Sequence, residues 1–226
     1  MTENEQMPTI IKTELGKKFT DEILNPSIDL GTDYAEIFID DLMDNGLLKE
    51  IPIVKSVVGT IKAGISINQF WFAKKILTFI REFNLGNVDN KQRIKFQQKI
   101  NTNDKFRKKV VEQIMIFIDK HMEINKTKIS AKLFQAFVEE NLTYEEFVST
   151  NICLDKLHPD SYSFINYLAT IGYEINHEFK NERNFDAESL LLTSGLATET
   201  SSFWHGFRLK NEGIKLYEYG IKPLTI

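Results

Sequence analysis

The chain has 226 residues, 42% hydrophobic and 27% charged, with 11 glycines and 5 prolines, which excludes a disordered, collagenous or low-complexity protein. A lone cysteine, Cys153, excludes an internal disulfide framework and fits a reducing compartment. The net charge of −4 is split unevenly: residues 1–50 hold twelve acids against four bases, −8, while residues 91–132 hold twelve bases against four acids, +8.

The first ten residues, MTENEQMPTI, have no basic start and no apolar run, so no signal peptide is expected and the protein reads as cytoplasmic. Residues 32–47 then predict a helix. Tyr34, Ile37, Phe38 and Leu42 lie near one face, and Asn45-Gly46 is a stop signal.

The next stretch, IPIVKSVVGTIKAGISINQFWFAKKILTFI at 51–80, raises the question of a membrane. Its longest uncharged run covers 63–73, between Lys62 and Lys74-Lys75. A spanning helix needs about 20 apolar residues, so a transmembrane segment is rejected. Two helices are expected instead. Residues 53–67 put Val54, Val58, Ile61 and Ile65 on one stripe, with a small-residue edge of Ser56, Thr60, Ala63 and Gly64. Residues 69–83 carry Phe70, Trp71, Phe72, Ile76, Leu77, Phe79, Ile80 and Phe83, dense enough for a core helix. The pair reads as a helical hairpin packed in the protein's own core; lying on a lipid surface is the alternative.

Residues 103–121 place Phe106, Val110, Val111, Ile114, Phe117 and Ile118 at helical spacing, and 128–140 do so with Ile129, Leu133, Phe134, Phe137 and Val138. Thr143 to Glu146 predicts a capping box. His158-Pro159 should end that helix, and Asp160 or Ser161 should cap another that runs to about Tyr173. Gly195 predicts a helix end. A polar segment follows, then a strand with Phe207 and Leu209, then a short helix from Gly213 to Tyr219. Helix, hairpin and a final "LxxxG" helix is how winged-helix domains read.

The expected fold class is therefore mainly α: a multi-helix bundle with a small C-terminal winged-helix-like α+β portion containing a β-hairpin. The expected divisions are 1–47, an acidic helical segment; 48–128, a helical body; and 129–226, the winged-helix-like region.

The chemistry-bearing patterns are sparse. Glu174-x-x-His177 has the spacing of half a di-iron site if both residues share a helix face, but such sites need a second copy and further carboxylates. Cys153 and His158 lack the further ligands of a zinc site, and the remaining histidines, His121 and His205, are far apart in sequence. No Gly-rich phosphate loop, nucleophile elbow or His-Glu-x-x-His is present. No catalytic residue, metal or cofactor is expected, and the protein reads as non-enzymatic.

A contact surface is the more natural expectation. From the lysine-edged hairpin it takes Lys55, Lys62, Trp71, Lys74 and Lys75. From the basic segment it takes Arg93, Lys95, Lys99, Arg107, Lys108 and Lys109. Lysine outnumbers arginine there, and lysine is a point charge where arginine is a fork for phosphate. A protein partner or a second copy is expected, with nucleic acid or a peripheral membrane contact as alternatives. DNA recognition by the winged-helix-like region is disfavoured, because Glu182, Asp186 and Glu188 surround Arg183 where the recognition helix would lie.

The stretch LLKEIPIVKSVVGTIKAGISINQFWFAKKILTFIREF, continued by KQRIKFQQKI and by the tail Leu209-Lys-Asn-Glu-Gly213, resembles a group of small uncharacterised bacterial and prophage proteins. The resemblance covers about residues 47–222; Lys210 departs from it, standing where the group has threonine. It implies a role in phage–host conflict, as a defence component or its regulator.

Overall fold

The computed structural model describes residues 18–21, 23, 67–175, 181–200 and 206–224. The chain divides into two compact units, Met1–Lys120 and His121–Ile226. The expected helix at 32–47 lies outside the described residues, and so does that at 53–67 except for its last residue, Ile67.

The first unit is helical in its described residues. Helix α1 spans Ile67–Leu85, α2 Asn90–Thr102 and α3 Asp104–Lys120. Along α1, Ala73, Ile76, Leu77, Phe79, Ile80 and Phe83 are buried, a three-and-four spacing that makes one apolar face. Phe19, from a short helical piece upstream, packs on Phe79 with ring centroids 5.7 Å apart. Full burial of one such side chain contributes about 1.5–3 kcal/mol.

Asp89 caps α2 by accepting from the Gln92 backbone N–H at 3.1 Å. Asn103 follows α2, and its Oδ1 accepts from the Phe106 N–H at 2.9 Å, capping the start of α3. One residue thus closes one helix and opens the next. In α2 only Phe96 and Ile100 are buried; in α3 they are Val110, Val111, Ile114, Phe117 and Ile118, as the spacing predicts.

The second unit is built around α4, Ile124–Val138, in which ten of fifteen residues are buried. A helix covered on most sides is a central helix. The expected boundary at 128 falls inside it. Helix α5, Tyr144–Lys156, opens with the predicted capping box: Thr143 Oγ1 accepts from the Glu146 N–H, and Glu146 Oε2 accepts from the Thr143 N–H at 2.9 Å. Buried Ser130 of α4 donates to Asn151 Oδ1 of α5 at 2.6 Å, and the Asn151 amide donates to Phe147 O. This satisfies polar groups that the apolar surroundings would otherwise penalise.

Beyond α5 the structure departs from the sequence expectation. Pro159–Ser161 forms a 3₁₀ turn and α6 spans Tyr162–Thr170. Ser161 does not cap α6 through its side chain; its hydroxyl donates back to His158 O at 2.5 Å. The helix ends three residues before Tyr173, because Gly172 and Tyr173 both take positive φ (83° and 70°) and reverse the chain. Glu174–Ile175 is then strand β1, where the Glu174-x-x-His177 spacing supposes a helix face.

Helix α7 spans Phe185–Ser194 and closes, as predicted, on Gly195 at φ 83°. Strands β2, Ala197–Glu199, and β3, Phe207–Leu209, form the expected hairpin. With β1 they make an antiparallel three-stranded sheet in the order β1-β3-β2. Ile175, Ala197, Phe207 and Leu209 are buried, while Arg208 stands exposed between Glu174 and Thr198.

Helix α8 starts at Asn211, two residues before the expected Gly213, and at Leu216 widens into a π turn over Tyr217–Ile221. Gly213 is required by packing. A Cβ there would sit 2.4 Å from Leu196 O, so the helix touches the loop after α7 with no room for a side chain. The architecture is mainly helical with a small sheet in the C-terminal unit.

Candidate interaction surface

Of the basic segment, the eight bases from Lys91 to Lys109 lie on α2 and the first half of α3, Lys120 ends α3, and Lys126, Lys128 and Lys132 lie on α4 of the second unit. Helix α2 contains four bases and no acid. Its two apolar anchors, Phe96 and Ile100, point into the unit, which leaves Lys91, Lys95 and Lys99 exposed. At a spacing of four residues these three lie within about 80° on the helix wheel. Lys99 carries the row across to α3: its ammonium stands 4.4 Å from the centroid of the Phe106 ring, and Phe106 meets Phe96 edge-on at 6.3 Å. On α3, Lys105, Lys108 and Lys109 are exposed.

Four expected surface residues behave differently. Lys75 is only 9% exposed; it points inward, and its Nζ donates to Asp119 O at 2.7 Å, so it does not belong to a contact face. Burial holds its ammonium below the usual lysine value, with Asp119 opposing the shift. Arg93 is half-buried. Its guanidinium donates to Asn84 Oδ1 and lies 5.5 Å from the Phe83 ring, which ties α2 to α1, and burial lowers its pKa. Arg107 pairs with Asp104 at 2.8 Å within α3, so its charge is already answered. Lys74 is half-buried with its ammonium 5.1 Å from the ring of Trp71, itself 47% exposed. Lys55 and Lys62 lie outside the described residues.

Lys91 and Lys105 are absent from the expected surface. The signal that finds them is plain: each is four residues before an expected lysine, Lys95 and Lys109, and so shares its face.

The hints of chemistry do not assemble. Glu174 is on a strand, so it cannot share a helix face with His177, which lies outside the described residues together with His205. His121 is buried with Nδ1 3.2 Å from Thr127 Oγ1, and His158 Nδ1 accepts from the Asp160 N–H. Cys153 is half-buried against Gly195. Burial, reinforced by Glu212, raises its thiol pKa, opposite to what a nucleophilic thiolate needs. Among the described residues no group of three or more His, Cys, Asp or Glu could hold a metal ion, and no helix is long and apolar enough to cross a membrane.

On α7 the exposed residues are Phe185, Asp186, Ser189, Leu192 and Thr193. Arg183, just before it, is engaged by the buried Glu188 through both its Nε (2.6 Å) and a terminal nitrogen, and lies 5.0 Å from the Phe185 ring. The exposed side of α7 therefore offers no base to a phosphate.

Comparison with protein-family models, with curated proteins and with solved structures finds no match to this chain.

Proposed function

We propose that the protein is a non-enzymatic, macromolecule-binding protein that holds an anionic partner on the exposed lysines of α2 and α3. The observation that carries this reading is the composition of α2: four bases, no acid, and an apolar side already occupied within its own unit. Six exposed lysines on two consecutive helices attract polyanions even in a chain of net charge −4.

Retention on heparin at neutral pH tests it. The whole chain is expected to bind at low salt despite its net negative charge, and Lys95→Glu with Lys99→Glu is expected to elute early. Passage of the unaltered chain in the flow-through sinks the proposal.

A second reading concerns residues 129–226, which we take as winged-helix-like. The sheet order β1-β3-β2, with a β2–β3 hairpin followed at once by a helix, supports it. On this reading α7 occupies the place of a recognition helix, and its exposed Phe185 and Leu192 suit a protein surface better than a DNA groove. A role in phage–host conflict follows only from the resemblance and forms no part of either reading.

A further inference from the structure

The lysine face of α2 has a regular geometry that narrows the class of its partner. We infer that this face binds nucleic acid through the phosphate backbone, without regard to sequence. The inference rests on the anionic-partner reading above and specifies its chemistry.

Three observations carry it. First, Lys91, Lys95 and Lys99 repeat along α2 with a rise of about 6 Å between neighbours, so the row presents charges in series along a line, which suits a linear polyanion. Second, the exposed positions of α2 beside them include Gln98 and Asn101, whose amide N–H groups can donate to phosphate and sugar oxygens. Third, the apolar side of α2 is spent inside the protein. A helix that lies in a membrane interface sinks its apolar side several ångströms into lipid. Here Phe96 and Ile100 are buried in the unit, and Ile94 is the exposed apolar residue of the helix. That disfavours a lipid surface.

Sequence-independence follows from the residue type. The commonest base-reading contact in a groove is a bidentate basic group on guanine, for which the planar arginine fork is suited. Both arginines of the segment are engaged internally, Arg93 with Asn84 and Arg107 with Asp104. The exposed lysines of the row carry point charges without a planar fork, which suit phosphates wherever they fall.

The test is fluorescence anisotropy of the full chain with a short DNA duplex of arbitrary sequence and a single-stranded RNA, titrated over a salt series. Polyglutamate and phosphatidylserine vesicles run in parallel. Binding to nucleic acid is expected, equal for two unrelated sequences, and steeply weakened by salt. Replacing Lys91, Lys95 and Lys99 by Glu is expected to make the log–log salt slope shallower by about 3 units, one for each phosphate that is no longer neutralised. The triple Lys→Gln variant, which adds no like charge, is expected to give the same change, so a folding defect in the first variant does not decide the matter. Lys156→Glu with Lys210→Glu, exposed on the other unit, is expected to leave the slope unchanged.

Polyglutamate binding without nucleic-acid binding overturns the phosphate assignment and leaves the anionic-partner reading standing. Vesicle binding alone replaces nucleic acid by a membrane surface. Failure of every polyanion to bind removes both readings. Nucleic-acid binding that the triple variants do not alter overturns the assignment to α2.

Discussion

The ammonium of Lys75, on the edge of the apolar face of α1, donates a 2.7 Å hydrogen bond to the carbonyl oxygen of Asp119 in the last turn of α3. The last four carbonyls of a helix have no partner within it, and a cation there also meets the negative end of the helix dipole. The second unit repeats the device: Lys126 of α4 donates at 2.8 Å to Asp155 O in the last turn of α5. Each unit therefore fastens one helix end with a buried lysine from another helix. Lys75→Ala removes the charged donor and the packed stem together. It is expected to destabilise the first unit by about 2–4 kcal/mol, measured by urea unfolding followed by circular dichroism.

The same two lysines give the fold an alkaline pH dependence. Burial lowers both pKa values below the usual 10.5. Within the window between the lowered value and 10.5, the unfolded chain binds more protons than the folded one. Stability then rises with pH through that window, and the contribution is lost as pH falls through the folded pKa. The double variant Lys75→Met, Lys126→Met lacks both titrations. Its stability relative to the unaltered chain is expected to worsen as pH rises from neutral toward about 10, read as the difference in urea midpoint at each pH. A constant difference refutes the linkage.

On the acid side, alongside Glu218, which Lys222 and Tyr173 hold below the usual carboxylate range, stands Glu146. Its carboxyl lies below the usual range, first because Lys215 donates to it and then because the Thr143 N–H does. A carboxylate with a lowered folded pKa stabilises above its unfolded value near 4.5, and the contribution is lost as pH falls through the folded value. Because Glu146 and Thr143 are reachable by solvent, screening keeps the contribution of the Lys215 pair modest, and the capping box adds to it. Thr143→Ala is expected to cost about 1 kcal/mol at neutral pH. Glu146→Gln is expected to flatten the acid limb of the stability–pH curve between about pH 4.5 and the folded value.

Gly213 sits where the backbone leaves no room for a side chain. A methyl group added there meets a backbone oxygen, Leu196 O, at 2.4 Å, and the Leu209 side chain at 3.2 Å. A backbone atom cannot rotate away as a side chain can, so α8 must shift off the β2 entry. Gly213→Ala is expected to destabilise the second unit by about 1–3 kcal/mol despite the better helix propensity of alanine. A neutral or stabilising result in thermal unfolding rejects the close approach.

Much of this architecture was legible because its signals are local. The apolar faces of α3 and α4 follow from residue spacing, the Thr143–Glu146 cap from two residues, and the β3 alternation from Phe207 and Leu209. What escaped was non-local. Strand β1 is two residues long, and Glu174 and Ile175 are strand only because Arg208 and Phe207, far along the chain, pair with them. The inward turn of Lys75 was legible in part: on the wheel it lies about 40° from Phe79, whereas Lys74 lies about 140° away. Its acceptor in α3 was not, since nothing in α1 indicates which carbonyl will be near. The lysine row of α2 was legible as charge. That Arg93 would be withdrawn from it depended on Asn84, a neighbour on α1 whose geometry the sequence does not state, whereas the Asp104–Arg107 pair on α3 follows from its spacing of three.

The pair of Arg183 and Glu188 separates stability from binding. Glu188 is 3% exposed, and its carboxylate takes two hydrogen bonds from Arg183 and one from the Asn184 N–H at 3.2 Å. Removing one partner of a buried pair leaves an uncompensated charge, so Arg183→Met is expected to cost about 3 kcal/mol. Arg183→Met combined with Glu188→Met removes both charges and is expected to cost clearly less than the single change, a coupling that a double-mutant cycle in urea measures directly. Because Arg183 is held by Glu188 and lies on the other unit from the lysine row, neither variant is expected to alter heparin retention. Loss of retention in the folded double variant places the anionic partner on α7 instead of α2.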